Sequence, residues 1–284
     1  MNSSKKKSRF QIVWKRLKKN KMAMVGLYII IIMLILAAIA PCIAPYDYDK
    51  QDYQAIMKGP SSEHVLGTDE FGRDILSRLL YGAKYSFEFG ILAVFVGAAI
   101  GLILGSIAGF FGGWTDNIIM RFLDIYQSVP MMVMAIALTS SLGAGMKSAV
   151  IAIGISTMPI YARLIRGSLL EIRGMEYIEA ATAINASKLR ILLRHMIPNA
   201  ISPVIVTLTM SVGLNVLAGA SLSFIGLGAQ QPLPEWGAML SEGRSYMRDY
   251  PRLVILPGAL IMTLVLSFNM FGDGLRDALD PRQN

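Results

Sequence analysis

Few side chains in this sequence have the type and spacing that chemistry needs. The nearest approach to a phosphate-holding loop is Lys147-Ser148, but Met146 precedes the lysine. The chain therefore lacks the glycine-rich cradle with which Walker A loops hold ATP phosphates. No H-E-x-x-H pair is present, and the only histidines are His64 and His195. His195 lies in a basic segment and reads as a solvated or partner-facing side chain rather than a metal ligand. Ser156, in Gly154-Ile155-Ser156-Thr157, sits in apolar surroundings, but a nucleophilic serine needs a base beside it. No histidine lies in any apolar segment, so no catalytic residue and no metal site are assigned. A single cysteine, Cys42, excludes an intrachain disulfide.

The polar residues that remain are neutral ones inside apolar stretches. Ser156, Thr157, Thr207, Ser211, Asn215 and Ser267 are candidates to line a path for a polar solute. The alternative is that such groups join helix to helix. Glu88, Arg121 and Asp124 stand near the ends of their stretches, and no charge stands near a centre. Ion-coupled carriers bury ionisable groups at the midplane. This pattern points to a membrane machine whose energy comes from elsewhere.

The elements that must position these residues follow from composition. Of 284 residues, 54% are hydrophobic and 16% charged, and mean hydropathy is +0.51. That balance excludes an ordinary soluble domain, which carries about 25% charged residues. The net charge of +8 is localised. Residues 1–21 hold nine basic side chains and no acid, and the remaining chain is nearly neutral. Nucleic acid is therefore a poor partner for this chain, and orientation in a membrane explains the charge better. Met22–Ala44 follows the tail, and its uncharged run is too long for a cleavable signal's core of about 7–15 residues. It reads as an uncleaved anchor.

Five further apolar stretches run over Ser86–Phe111, Ile118–Leu142, Ser148–Ala162, Ile201–Gly226 and Leu253–Phe271. Each is near the length of about 20 residues that spans a bilayer. The expected fold is an all-α polytopic membrane protein with six transmembrane helices and both termini cytoplasmic. Segment 163–200 then lies inside with six basic residues against three acids, and segment 45–83 outside with seven acids against four bases. Both agree with the positive-inside tendency. Gly97, Gly101, Gly105 and Gly109, with Gly113 beyond, recur every four residues. On a helix they form a strip without side chains, suited to close packing. Pro130 and Pro203 read as lying at or near helix starts, and Pro257 as kinking the last span.

Residues 170–200 are too polar to span. Ile178, Ala181 and Ile184/Asn185 share one helix face, and Asn185 suits a left-handed helix end. Ser187 is placed to cap a second helix, with Leu189, Leu192, Leu193 and Met196 as its apolar face and Pro198 ending it. Two short helices joined by a turn make either a docking knob for a cytosolic partner or a hairpin lying on the membrane.

Glu179-Ala180-Ala181, the break at Asn185 and Ile197-Pro198 resemble the EAA loop of ABC importer permeases, although that family usually has glycine where Asn185 stands. The stretch 66–74 (Leu-Gly-Thr-Asp-Glu-Phe-Gly-Arg-Asp) with Ser77-Arg78, the run 221–240 and the run 272–282 resemble the C-type permeases of the dipeptide/oligopeptide/nickel subfamily. The resemblance covers about residues 10 to 282. It implies a type I importer core over 84–274, with a coupling loop at 171–198 and cytoplasmic tails at 1–21 and 275–284. Residues 22–44 would be the anchor and 45–83 an extracytoplasmic segment. It further implies a plasma-membrane subunit of a prokaryote, non-catalytic and without a cofactor of its own. ATP and Mg²⁺ would be held by two ATPase subunits. A homologous B-type permease, an extracytoplasmic binding protein and membrane lipid complete the expected partners. Glu179, Ala180, Ala181, Asn185, Lys188, Arg190, Arg194 and Pro198 would form the ATPase-coupling surface, and Pro232, Pro234 and Trp236 a docking surface for the binding protein. The implied cargo is di- or oligopeptides, with nickel or a nickel chelate as the alternative. A self-contained channel or secondary carrier is the alternative from another class.

Overall fold

A computed structural model describes residues 9–279. The first eight residues of the basic tail and residues 280–284, with Asp280-Pro281-Arg282, lie outside the described residues. Among the described residues the chain is helical and has no strand. Eleven α-helices follow in order: α1 (Arg9–Leu17), α2 (Lys21–Ile43), α3 (Ile75–Phe111), α4 (Gly113–Gln127), α5 (Met131–Leu142), α6 (Met146–Arg173), α7 (Glu176–Ala183), α8 (Lys188–Arg190), α9 (Ile197–Phe224), α10 (Trp236–Gly243) and α11 (Arg252–Leu279). A π-helical stretch, Ile191–Met196, joins α8 to α9.

Five helices are long and apolar enough to cross a membrane, or six if α4 and α5 make one broken span. The break is an 85° bend. Ser128 and Val129 precede Pro130, and proline disfavours helical geometry in the residue before it. Pro130 is thus a helix start, and the stretch expected as one span over 118–142 is two helices at nearly a right angle.

Several boundaries move. α3 starts at Ile75, so the last residues of the 45–83 segment are its first turns. α6 extends well past Ala162 to Arg173. Arg163 and Arg166 are consequently helix residues rather than loop cations, paired with Asp124 and Asp116 of α4. α11 runs through the expected 274/275 boundary. Pro203 does not start a helix but lies within α9.

The core has three main parts. One joins α2, α3, α9, α10 and α11 around Trp236, Phe87 and Leu264. A second joins α3, α5, α6 and α9 around Phe89 and Ile153. The third lies where α6, α7 and the start of α9 meet. α2 packs at the edge, with Ile31, Ile32 and Ile35 exposed, as a lipid-facing helix would be.

The glycine strip of α3 faces α6. A Cβ at Gly97 would stand 2.5 Å from the carbonyl oxygen of Gly154, and one at Gly109 would stand 3.1 Å from that of Arg166. Gly101 and Gly105 meet the carbonyls of Met158 and Ala162 in the same register. Any side chain would push the two backbones apart. Gly113 is not part of the strip: it opens α4 with φ 54° and faces open space.

Candidate functional site

The hairpin at α7 is built from local rules. Eight residues are too few for a helix to stand alone, so α7 depends on contacts. Ile178 and Ala181 are buried against Ile165, Leu169 and Ile172 of α6 and against Ile191 and Met196. The helix ends at Asn185, with φ 56°. The Ala186 N–H donates to the carbonyl of Ala181 at 3.1 Å, and the Asn185 N–H to that of Thr182 at 2.9 Å. This 6→1 and 5→2 pair is a Schellman ending, and asparagine takes the place usual for glycine.

Two expectations about this segment are corrected. Ile184 is not on the buried face: it is 80% exposed at the tip, together with Asn185. The second helix does not end at Pro198 but runs from Lys188 to Phe224 as one rod. Proline removes an N–H and crowds the carbonyl four residues back. The adjoining π-helical stretch accommodates this, with the Ile197 N–H donating to the carbonyl of Leu192. Its buried face is Ile191 and Met196, while Leu189 and Leu193 are exposed. Ser187 precedes the rod without a side-chain cap bond. Glu179, Ala180, Lys188, Arg190 and Arg194 are all exposed around the hairpin, and Pro198 lies exposed on the rod.

The neutral polar residues separate into groups. Ser156 and Thr157 of α6 and Ser211 and Asn215 of α9 are buried; Thr157, Ser211 and Asn215 lie near the Tyr161 hydroxyl, and Ser156 near that of Tyr126. The Ser156 hydroxyl donates to the carbonyl of Ala152 at 2.7 Å, and that of Thr157 to Ile153 at 3.1 Å. The Tyr161 hydroxyl and Asn215 Nδ2 have no hydrogen-bond partner. Ser267 stands apart, buried on α11 where Gly26 of α2 approaches its carbonyl. Thr207 is only partly covered.

An ion cluster ties segment 45–83 to α10, and reading along the chain did not find it. Asp69 accepts from the backbone N–H groups of Phe71 and Arg73, both at 2.9 Å, and from Arg73 Nε at 2.7 Å. It also accepts from Arg78. Glu242 Oε2 accepts from Arg73 Nη2 at 2.9 Å and Arg78 Nη1 at 2.8 Å. Asp74 caps α3 by accepting from the Ser77 N–H at 2.8 Å, and its other oxygen lies 2.9 Å from His64 Nδ1. Asp69, Glu70 and Glu242 are close enough together to hold a cation, but Arg73 and Arg78 already neutralise them. Burial pushes the Glu70 carboxyl above the usual range.

Trp236 belongs to this same construction. It is 1% exposed, and its indole N–H donates to the carbonyl of Leu79 at 3.1 Å. Gly82 leaves it room, since a Cβ there would meet Trp236 Cδ1 at 2.8 Å. Glu235 caps α10, accepting from the N–H groups of Gly237 and Ala238, both at 2.9 Å. Burial is the largest effect on its carboxyl and pushes it up, against the N–H groups that lower it. Pro234 and Trp236, expected as docking residues, are therefore internal, and of the three only Pro232 is exposed.

Comparison with known proteins agrees with this architecture. Residues 101–284 match the family of binding-protein-dependent transport system inner membrane components. Residues 8–60 match the N-terminal transmembrane domain of oligopeptide transport permease C. The glutathione transport system permease protein GsiD of Escherichia coli O6:K15:H31 is 46% identical over 270 residues, covering 95% of this chain and 89% of that protein. The dipeptide transport system permease protein DppC of Alkalihalophilus pseudofirmus is 45% identical over 269 residues, covering 95% and 88%. Among solved structures, an inward-facing MetNI methionine ABC transporter chain superposes with a TM-score of 0.59 at 20% identity, over 72% of this chain and 96% of that one. A chain of an amino acid ABC transporter crystallised with histidines gives 0.54 at 17% identity, over 71% and 94%. With the broken span, the α7 hairpin and the long rod in place, this chain belongs to the inner-membrane permeases of bacterial binding-protein-dependent ABC importers, in their C-type branch.

Proposed function

We propose that this chain forms half of the pathway of an ATP-driven importer for short peptides, with both termini in the cytoplasm. Its partners are a B-type permease, two ATPase subunits that hold ATP and Mg²⁺, and an extracytoplasmic binding protein. The chain itself binds no cofactor and catalyses no reaction. The observation that carries this reading is the α7 hairpin: an exposed tip at Ile184 and Asn185 on a buried base at Ile178 and Ala181. A push on the tip by a closing ATPase passes through that base to α6 and to the start of α9. These two helices carry Ser156, Thr157, Ser211 and Asn215, so their relative movement would open or close a polar seam. Such a push drives transport only by biasing one of two arrangements of the bundle. On the outer side, segment 45–66 and exposed Pro232 are the surface left for the binding protein.

Glu179 and Ala180, exposed beside the tip, are assigned to the ATPase contact, with Arg190 and Arg194 around it, while Lys188 lines the cavity behind α7. Glu179→Lys in the assembled transporter lowers uptake at least roughly tenfold, because reversing a docking charge costs several kcal/mol. ATPase activity and membrane insertion persist. Normal uptake by this variant rejects the coupling role. The names of the relatives point to dipeptides and glutathione as cargo. Titration of the cognate binding protein with dipeptides, glutathione and Ni²⁺ checks this, and tight binding of Ni²⁺ alone would assign the chain to metal uptake.

A further inference from the structure

We propose that the cavity between α7 and the bundle holds one anionic phospholipid, with its phosphate on Arg173 and Lys188 and its acyl chains along Phe110 and Phe111. The cavity has a volume of about 630 Å³ and is walled by the ends of α3 and α6, by α7 and by the start of the rod. Phe110, Phe111 and Ile178 supply its apolar side; Arg173, Lys188 and Glu179 supply its charge. Two cations against one carboxylate leave it net positive. Neither the Arg173 guanidinium nor the Lys188 ammonium has a hydrogen bond or ion pair among the described residues. The Arg173 guanidinium lies over the turn at Gly112, where a Cβ would stand 2.8 Å from Nη1. Gly112 has φ 65°, so its backbone favours glycine.

The apolar wall selects a lipid over a free anion. Phe110 and Phe111 pack edge to face, with ring centroids 5.2 Å apart, and Phe111 is more than half exposed. Trp114, three residues on, is 84% exposed, and such tryptophans favour the membrane–water boundary. The cavity therefore sits where α3 leaves the bilayer, with its cations at headgroup depth. A lipid there would brace α7 from behind. This consequence rests on the proposed coupling role of α7, whereas binding itself does not.

The test uses the whole transporter, reconstituted in discs of mixed phosphatidylglycerol and phosphatidylcholine and then released into mild detergent. Retained lipid is counted by native mass spectrometry. The wild type should keep phosphatidylglycerol in preference to phosphatidylcholine. Arg173→Gln with Lys188→Gln should lower its retention roughly thirtyfold, the effect of two headgroup charges. Arg173→Lys with Lys188→Arg should keep it. Equal retention by the Gln variant, equal retention of phosphatidylcholine, or displacement by inorganic phosphate would each overturn the proposal. Failure of Glu179→Lys to uncouple would reject the coupling role and leave this lipid count unaffected.

Discussion

Arg78 shows how much one buried side chain can hold. It is 1% exposed, bonds to Asp69 and Glu242, and leaves Nε and Nη2 without acceptors. Arg78→Ala leaves Asp69 and Glu242, with Glu70 beside them, to Arg73 alone in a buried site and should cost about 3–5 kcal/mol, read as a loss of thermal stability in detergent. A loss under about 1 kcal/mol would mean that water already enters the cluster. Two other buried or partly buried carboxyls carry a pH dependence. Burial raises the Glu235 and Glu70 carboxyls, so the folded state binds a proton that the unfolded chain has released. Their contribution is full below the ordinary glutamate range near 4.3 and is lost as pH rises through the raised values. Glu235→Gln should therefore flatten the fall in melting temperature as pH rises above the ordinary glutamate range. A slope equal to that of the wild type would show that this carboxyl is not the titrating group.

At the scale of elements, the α3–α6 contact depends on glycine because carbonyl oxygens of α6 stand where side chains would go. Gly101→Leu must move a backbone rather than a side chain, and overpacking alone costs about 1–3 kcal/mol. Gly167, in α6, has open space around it, so Gly167→Ala should be neutral or slightly stabilising. Expression and unfolding of the two variants side by side check this, and equal behaviour would contradict the packing account. This strip was legible along the chain because a four-residue period is a local signal. The turn at Asn185 was legible for the same reason. Prolines were less informative. Pro130 breaks a span by 85°, while Pro198 sits in an unbroken rod. The rule for the preceding residue is the same in both, and packing decides the outcome: Ile191 and Met196 are held in the core beside Ile165 and Leu169, which keeps the helix running.

Over the whole molecule, the absence of a nucleotide loop and of mid-span charge is explained by membership in an importer family. Purification in mild detergent should yield a complex with a second permease and two ATPases. Transport by this chain alone would instead make it a self-contained carrier. Composition, the period of the apolar stretches and the tail charge determined by themselves that this is a multi-spanning helical membrane protein, because burial in lipid is written residue by residue. The hairpin at 171–198 was visible as well, since turn and cap preferences act within a few residues. Only the tertiary structure decided that Trp236 is internal, that Arg163 and Arg166 pair with α4, and that Asp69, Arg73, Arg78 and Glu242 form one cluster. Arg78 and Glu242 are 164 positions apart. A charge in sequence carries no mark of a partner that far away, and solvated and buried charges look alike until the chain has folded.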